Sequence, residues 1–260
     1  MDRILITTNC IDLSDYRDLA EASGAGLELQ AFAEPAALNG GWREILNNHK
    51  RQLKNFKGDL GIHGAFYDMS SASRDPEIVE LTRKRYRQNL VAAGELGARY
   101  VVLHLNYLGP MNLLGYHPDW HRRQVEFWSD FIEEVEEVGI PVLLENSWEH
   151  SPEIILDVIR DVNSSFLRTC LDVAHATLYS KVPFRQWLDA VEPYLECCHL
   201  NDHDGEHDLH LPLGQGVVDY NDVMTHLDAL DRKPYFCLEL PSLSSIDTSL
   251  EFLRRKEIPA

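Results

Sequence analysis

The chain has no long uninterrupted hydrophobic run. Of its 260 residues, 44% are hydrophobic and 25% are charged, a balance typical of globular proteins. No apolar stretch approaches the ~18 residues that a membrane helix needs. The opening residues, MDRILITT, lack the longer apolar core of a signal peptide, and we interpret them as a first strand. We therefore expect a cytoplasmic protein that does not bind a membrane.

Cysteine and basic residues are also scarce. The five cysteines form an odd, scattered set, which predicts reduced, buried thiols rather than a disulfide framework. The chain has 24 Lys and Arg against 42 Asp and Glu, a formal net charge of −18. Because basic side chains bind the backbone of a nucleic acid, this charge argues against DNA as a partner.

The sequence alternates short β-rich runs with longer helical stretches. Most of the runs are continuously apolar, which is typical of parallel strands buried on both faces. The runs occupy residues 3–8, 26–30, 59–64, 99–105, 140–145, 167–172, 196–200 and 235–240. Before the fourth run, Asp75 and Pro76 begin a predicted helix. Before the fifth, Val125, Trp128 and Ile132 have helical spacing.

These eight β/α units follow one another without a Pro-, Gly- or Ser-rich linker. They predict a single (β/α)8 TIM barrel that spans residues 1–260 as one domain. A doubly wound open sheet is the alternative. No glycine-rich phosphate turn follows the first run to support it.

Six of the runs carry a residue that can bind metal at or near their C-terminal end. These residues are His63, His104, Glu145, Asp172, His199 and Glu239. The C-terminal ends of barrel strands are where such enzymes place their chemistry. A single histidine there is most often a hydrogen-bonded core residue. Three carboxylates and three imidazoles buried together, however, need a positive charge to neutralise them. We therefore predict one or more divalent metal ions.

The loop HLNDHDGEHDLHLPLGQG, residues 199–216, extends this set. A charge-rich loop after a strand is usually only solvent-exposed surface. Asp208 and His210 flank one leucine, however, and alternate residues of an extended segment face the same side. His175 follows the sixth run closely enough to reach the same mouth. Because the rest of the chain supplies matching ligands, we interpret the loop as metal-binding.

Ordered motifs make the chain resemble the xylose isomerase-like TIM-barrel superfamily, which also contains endonuclease IV. The motifs are GIHGAF, VVLHLNY, LLENS, CLDVAHA, CHLND, DLH…LGQG and CLELP. They resemble the segments that bind three zinc ions in endonuclease IV, with Glu145 bridging two metals. The metal set that this resemblance implies is His63, His104, Glu145, Asp172, His175, His199, Asp208, His210 and Glu239.

The isomerases and epimerases of the superfamily resemble the chain through a smaller set around one metal. That set is Glu145, Asp172, His199 and Glu239. In these enzymes the metal polarises a carbonyl and a hydroxyl while two glutamates move a proton off and onto carbon. The arginine that the epimerases carry after the seventh-strand histidine is absent here, where the stretch is DHDGEHD.

The chain also departs from the endonucleases. Its first strand is LITTNC where theirs has Gly-x-His-Val-Ser. Its loop after the second strand, QAFAEPAALNGGW, has no Lys or Arg where theirs has a basic residue that enters the DNA. These departures weaken the case for DNA as substrate and leave the predicted metal ligands in place.

We therefore expect an enzyme that isomerises or epimerises a small sugar or sugar phosphate, with Glu145 and Glu239 as catalytic residues. The alternatives are an endonuclease IV-like multinuclear zinc phosphoesterase and a metal-binding protein without catalysis. The expected cofactor is a divalent metal, Zn²⁺ with up to three ions or else Mn²⁺. The oligomeric state stays open. The residues predicted to contact substrate are Phe66, Asn106, Asn146, Trp148 and Asn201.

Overall fold

Eight parallel strands close into a barrel in which each strand pairs with its neighbours in sequence. The computed structural model describes residues 3–109 and 114–257. The strands are β1 (Ile4–Thr8), β2 (Gly26–Leu29), β3 (Leu60–His63), β4 (Val101–His104), β5 (Val142–Glu145), β6 (Leu167–Asp172), β7 (Leu195–Leu200) and β8 (Tyr235–Leu238). The predicted TIM barrel is confirmed. Residues 1–2, 110–113 and 258–260 of the predicted domain lie outside the described residues.

Helices surround the barrel. They are α1 (Ser14–Ser23), α2 (Trp42–Gln52), α3 (Pro76–Leu96), α4 (Tyr116–Val138), α5 (Glu153–Val162), α6 (Val173–Leu178), α7 (Phe184–Val191), α8 (Tyr220–Ala229) and α9 (Leu243–Glu257). A π-helical turn, Ala37–Gly41, precedes α2, and a 3₁₀ turn, Glu192–Tyr194, precedes β7. None of the helices in the described ranges is long and apolar enough to cross a membrane.

The two helices predicted from local signals form as expected. Helix α3 begins at Pro76, and the Asp75 carboxylate caps it by accepting from the amide of Glu77. It ends at Gly97, whose φ of 70° suits glycine. In α4, Trp128 and Val135 are completely buried. Local sequence was sufficient here because capping residues and the apolar period act within a few residues.

The strand register brings the predicted metal-binding residues to one end of the barrel. His104 pairs with Glu145 across β4 and β5, and Asp172 pairs with His199 across β6 and β7. Below this level, a packed layer fills the barrel interior. It consists of Leu5, Tyr100, Val102, Leu143, Cys170, Cys197, Tyr235 and Cys237. The site is therefore open at the C-terminal ends of the strands and closed below by packed side chains.

Candidate metal centre

The predicted ligands converge in three groups at the mouth of the barrel. The first is His63, His104 and Glu145. The second, which we call the central group, is Glu145, Asp172, His199 and Glu239. The third is His175, Asp208 and His210. Within each group the ligand atoms lie within 4.8 Å of one another. Glu145 belongs to two groups, which is the arrangement that a bridging carboxylate needs.

The central group contains buried polar atoms that lie close to one another without forming hydrogen bonds. His199 Nδ1 lies 3.1 Å from Glu145 Oε1 and 3.1 Å from Glu239 Oε2. His199 Nδ1 and Glu145 Oε2 are buried, and neither makes a hydrogen bond within the described residues. Unpartnered buried polar atoms are costly. A cation between them would satisfy both.

Each of the five histidines has one ring nitrogen held by an acceptor outside the centre. These pairs are His63 Nδ1 with Gly64 O, His104 Nδ1 with Ser147 Oγ, His175 Nδ1 with Asn146 O, His210 Nδ1 with Glu239 O, and His199 Nε2 with Glu28 Oε2. The other nitrogen of each ring faces a carboxylate of the centre. Outer acceptors of this kind fix the tautomer and aim the free lone pair at a metal. The five imidazoles and four carboxylates thus fit divalent ions such as Zn²⁺.

Asp172 links two of the groups. It ends β6 and caps α6, where its Oδ1 accepts from the amide of His175 at 2.6 Å. The side chain of Asn146 bonds the amide and carbonyl of Asp172, and Asn201 Nδ2 donates to Asp172 Oδ2 at 2.8 Å. The spacing of Asp172 and His175 is therefore set by a helix cap. Asn146 and Asn201 hold the backbone and carboxylate of Asp172.

A buried aspartate organises the loop that carries Asp208 and His210. The carboxylate of Asp202 accepts hydrogen bonds from the amides of Gly214, Gly216 and Val218. A Cβ on Gly216 would lie 2.2 Å from the carbonyl oxygen of His203, so only glycine fits. The acidic stretch is thus a loop folded around Asp202. It places Asp208 and His210 beside His175 at the mouth of the barrel.

The charges of the centre shift several pKa values. Burial opposes protonation of His63, yet Glu145, Glu239 and Glu28 raise its pKa to about 9. Burial also opposes protonation of His210, and Asp208 with Glu239 raises its pKa to about 10. For Glu145, burial favours the neutral acid, but the adjacent His199 and His104 hold its pKa well below the usual value. In the metal-free centre His63 and His210 are therefore protonated at neutral pH, whereas burial lowers the pKa of His104.

We predict that zinc binds more tightly as the pH rises from 6 to 8. His63 and His210 are protonated in the metal-free protein across this range, and a metal binds only the neutral imidazole. Binding must release protons, so the apparent affinity should rise about tenfold per pH unit for each proton released. Calorimetry in two buffers with different ionisation enthalpies counts those protons. An affinity that does not change with pH contradicts the prediction.

A cavity of about 380 Å³ lies above the centre, a size that suits a small ligand. Phe66 and Trp148 line it, with ring centroids 6.5 Å apart, and the Phe66 ring lies 4.6 Å from the His104 ring. The Asn106 amide instead donates to the carbonyl of Met69 at 2.6 Å. Of the predicted substrate contacts, the two aromatic residues face the cavity, whereas the three asparagines have hydrogen-bond partners within the fold.

Two functional residues on the second strand were missed from the sequence. Glu28 is completely buried beside His199, and Gln30 Nε2 donates to Glu239 Oε1 at 2.7 Å. Both lie in the run GLELQ, which the apolar pattern predicts only as a strand. A carboxylate inside a buried strand is itself a signal, because burying it requires a partner.

Comparison with known proteins gives one family match. A model of the xylose isomerase-like TIM barrel family matches residues 17–256. The uncharacterised protein MJ1311 of Methanocaldococcus jannaschii is 25% identical over 206 residues, which are 76% of this chain and 70% of that protein.

Solved structures match over almost the whole chain. The TTHB071 protein from Thermus thermophilus, soaked with ZnCl₂, is 29% identical, with a TM-score of 0.79 and 100% of both chains covered. A D-tagatose 3-epimerase-like protein is 20% identical, with a TM-score of 0.83 and coverage of 97% of this chain and 96% of that chain. A structure soaked with ZnCl₂ and a D-tagatose 3-epimerase-like protein therefore share the fold of this chain.

Proposed function

The chain belongs to the xylose isomerase-like TIM barrel family, and we propose that it is a metal-dependent isomerase or epimerase of a small sugar or sugar phosphate. One observation carries the proposal. Two buried glutamates, Glu145 and Glu239, approach the same nitrogen of His199 from β5 and from the end of β8, beneath a cavity of about 380 Å³. Paired carboxylates beside a metal-binding group are what proton transfer at carbon requires.

The residues of the central group would share the chemistry as follows. Glu145, Asp172, His199 and Glu239 would hold a divalent ion, which when bound polarises a carbonyl and a neighbouring hydroxyl of the substrate. Glu145 is ionised at neutral pH and would be the base that accepts a proton from carbon, which the bound ion makes more acidic by polarising the carbonyl. Glu239, after taking a proton from water, would deliver it to the opposite face of that carbon, and the proton on Glu145 would pass to water.

Residues around the cavity would position the substrate. Gln30 holds Glu239 Oε1 and leaves Oε2 directed at the centre. Phe66 and Trp148 provide an aromatic wall against which the C–H face of a sugar can pack. The match to a D-tagatose 3-epimerase-like protein supports this substrate class.

A multinuclear zinc phosphoesterase is the second candidate. The observation that favours it is the presence of two groups beyond the central one, the His63 group and the His175 group. Clustered zinc ions can activate water and hold the oxygens of a phosphoester. A polyanionic DNA substrate fits poorly, because the net charge is −18 and the acidic Glu34 lies at the cavity.

The test is solvent exchange at carbon. Metal-loaded protein is incubated in D₂O with a panel of ketoses and ketose phosphates, and deuterium at the carbon next to the carbonyl is measured by NMR. We expect exchange and isomer formation with at least one sugar, and neither after chelation. Release of phosphate from phosphoesters, without exchange in any sugar, would instead establish the second candidate.

His63→Ala separates the two candidates within the same assay. His63 lies outside the central group, so an isomerase that uses one metal should lose less than about tenfold in turnover. A hydrolase that needs several ions should lose about 10²-fold or more, because one metal group is broken. If His63→Ala removes sugar exchange as completely as Glu145→Gln does, the one-metal mechanism is wrong.

A further inference from the structure

We propose that Glu28 is a positioning residue that orients His199 so that Nδ1, rather than Nε2, binds the metal of the central group. The inference rests on the proposed function only in taking His199 to be a metal ligand. It assigns a role to a residue that belongs to none of the predicted ligand motifs and lies on β2, one residue before the end of that strand.

The contacts of Glu28 define this role. Its carboxylate is completely buried, and Oε2 accepts from His199 Nε2 at 3.2 Å and from the Tyr100 hydroxyl at 2.8 Å. With its proton on Nε2, the imidazole must present the lone pair of Nδ1. That nitrogen is the one that lies 3.1 Å from both Glu145 and Glu239.

Burying the Glu28 carboxylate costs free energy of folding. A buried carboxylate requires a cation or several hydrogen bonds to compensate for lost hydration. Within the described residues, His199 is the only ion-pair partner of Glu28, and Oε1 of Glu28 makes no hydrogen bond there. An apolar residue would fill this strand position at lower cost. The carboxylate therefore matters for what it does to His199.

The neighbouring residues make room for the interaction. A Cβ on Gly61 of β3 would lie 2.6 Å from Cζ of Tyr100 and 2.8 Å from its hydroxyl oxygen. The absence of a side chain there lets the Tyr100 ring cross beneath β3 and reach Glu28. Cys197 Sγ lies 3.5 Å from the same hydroxyl. The close approach at Gly61 thus lets the Tyr100 hydroxyl bond Glu28, and Glu28 in turn bonds Nε2 of His199.

His199 differs from the other four histidines of the centre in this respect. Their outer nitrogens are held by neutral groups, three by backbone carbonyls and that of His104 by the Ser147 hydroxyl. A charged acceptor strengthens the hydrogen bond and makes the opposite nitrogen a stronger donor to a metal. Loss of Glu28 should therefore weaken the central group specifically.

The experiment measures metal binding alone, without any sugar. The full-length protein is stripped of metal, and Zn²⁺ is titrated against a chromophoric chelator for the wild type, E28Q, Y100F, H199A and the control T169V. Thr169 Oγ1 is buried on β6 without a hydrogen-bond partner in the described ranges, so its substitution tests burial without touching His199. Circular dichroism checks folding, and ¹⁵N NMR of labelled histidine reports which nitrogen of His199 carries the proton.

We expect E28Q to weaken the zinc affinity of the central group by about 10- to 100-fold, Y100F to weaken it less, and T169V to leave it unchanged. In the zinc-loaded wild type His199 should carry its proton on Nε2, and in E28Q the resonance of this N–H should shift, because a neutral amide oxygen replaces the carboxylate as its acceptor. If folded E28Q keeps the wild-type zinc affinity and an unchanged Nε2–H signal, the role of Glu28 is refuted. If E28Q does not fold, an unchanged zinc affinity in Y100F refutes that role instead. Binding lost in H199A but kept in E28Q refutes only the role of Glu28. Full binding in H199A refutes both this role and the proposed metal centre.

Discussion

We expect Glu145→Gln to reduce turnover by about 10³-fold or more while the barrel stays folded. Glu145 is the one residue shared by the His63 group and the central group. Its Oε2 lies 3.1 Å from His104 Nε2, and its Oε1 lies 3.1 Å from His199 Nδ1. An amide would turn an N–H₂ donor towards one of these nitrogens and remove the negative charge. Loss of a general base alone costs about 10²–10⁴-fold, and weakened metal binding adds to it.

The measurement compares kcat and bound metal in the variant and the wild type, using the sugar identified by solvent exchange. Glu149→Gln is the matched control, since Glu149 is a buried carboxylate four residues along the same segment. Its Oε2 accepts from the amide of Ser147, a bond that the oxygen of glutamine can also make. If Glu145→Gln keeps more than a tenth of the wild-type turnover, Glu145 is not the catalytic base.

We expect removal of the metal to abolish turnover and to lower thermal stability, and we expect Zn²⁺ or Mn²⁺ to restore both. Without a cation, the carboxylates of the centre lie close together, and protonated imidazoles such as His63 and His210 offset only part of their charge. A ligand that binds only the folded state stabilises it according to its free concentration, by about 4 kcal/mol at a thousand times its dissociation constant. Metal should therefore raise the melting temperature by several degrees.

The measurement is a thermal melt and a turnover assay after dialysis against chelator, repeated with each ion. H199A is the control, because a chain without this central nitrogen should regain little turnover at any zinc concentration. A protein that works at full rate after exhaustive chelation, with metal content verified as zero, would refute the metal-dependent mechanism. The identity of the restoring ion would also decide between Zn²⁺ and Mn²⁺.

The sequence alone was sufficient for the barrel and for which residues collect at its mouth. Strand runs such as VVL and VLL, at residues 101–103 and 142–144, are apolar on both faces of the strand. This short-range pattern predicts buried parallel strands, whatever loop follows them. The parallel strands that carry Glu145, Asp172 and His199 at or near their C-terminal ends all run in one direction. These three residues must therefore meet at one rim of the barrel. Strand ends therefore predicted six of the nine residues of the centre without any distance, whereas His175, Asp208 and His210 were predicted from local spacing and from the family resemblance.

Only the tertiary structure decided how these residues divide and what supports them. Glu28 meets His199 across 171 positions of sequence and Gln30 meets Glu239 across 209, contacts that exist because the barrel closes between β8 and β1. Asn201, predicted to touch substrate, instead holds Asp172. Periodicity and strand ends act locally, whereas the partner of a buried polar side chain depends on register and closure around the whole barrel. The division into three metal-binding groups, and the orientation of His199 by Glu28, follow from that closure.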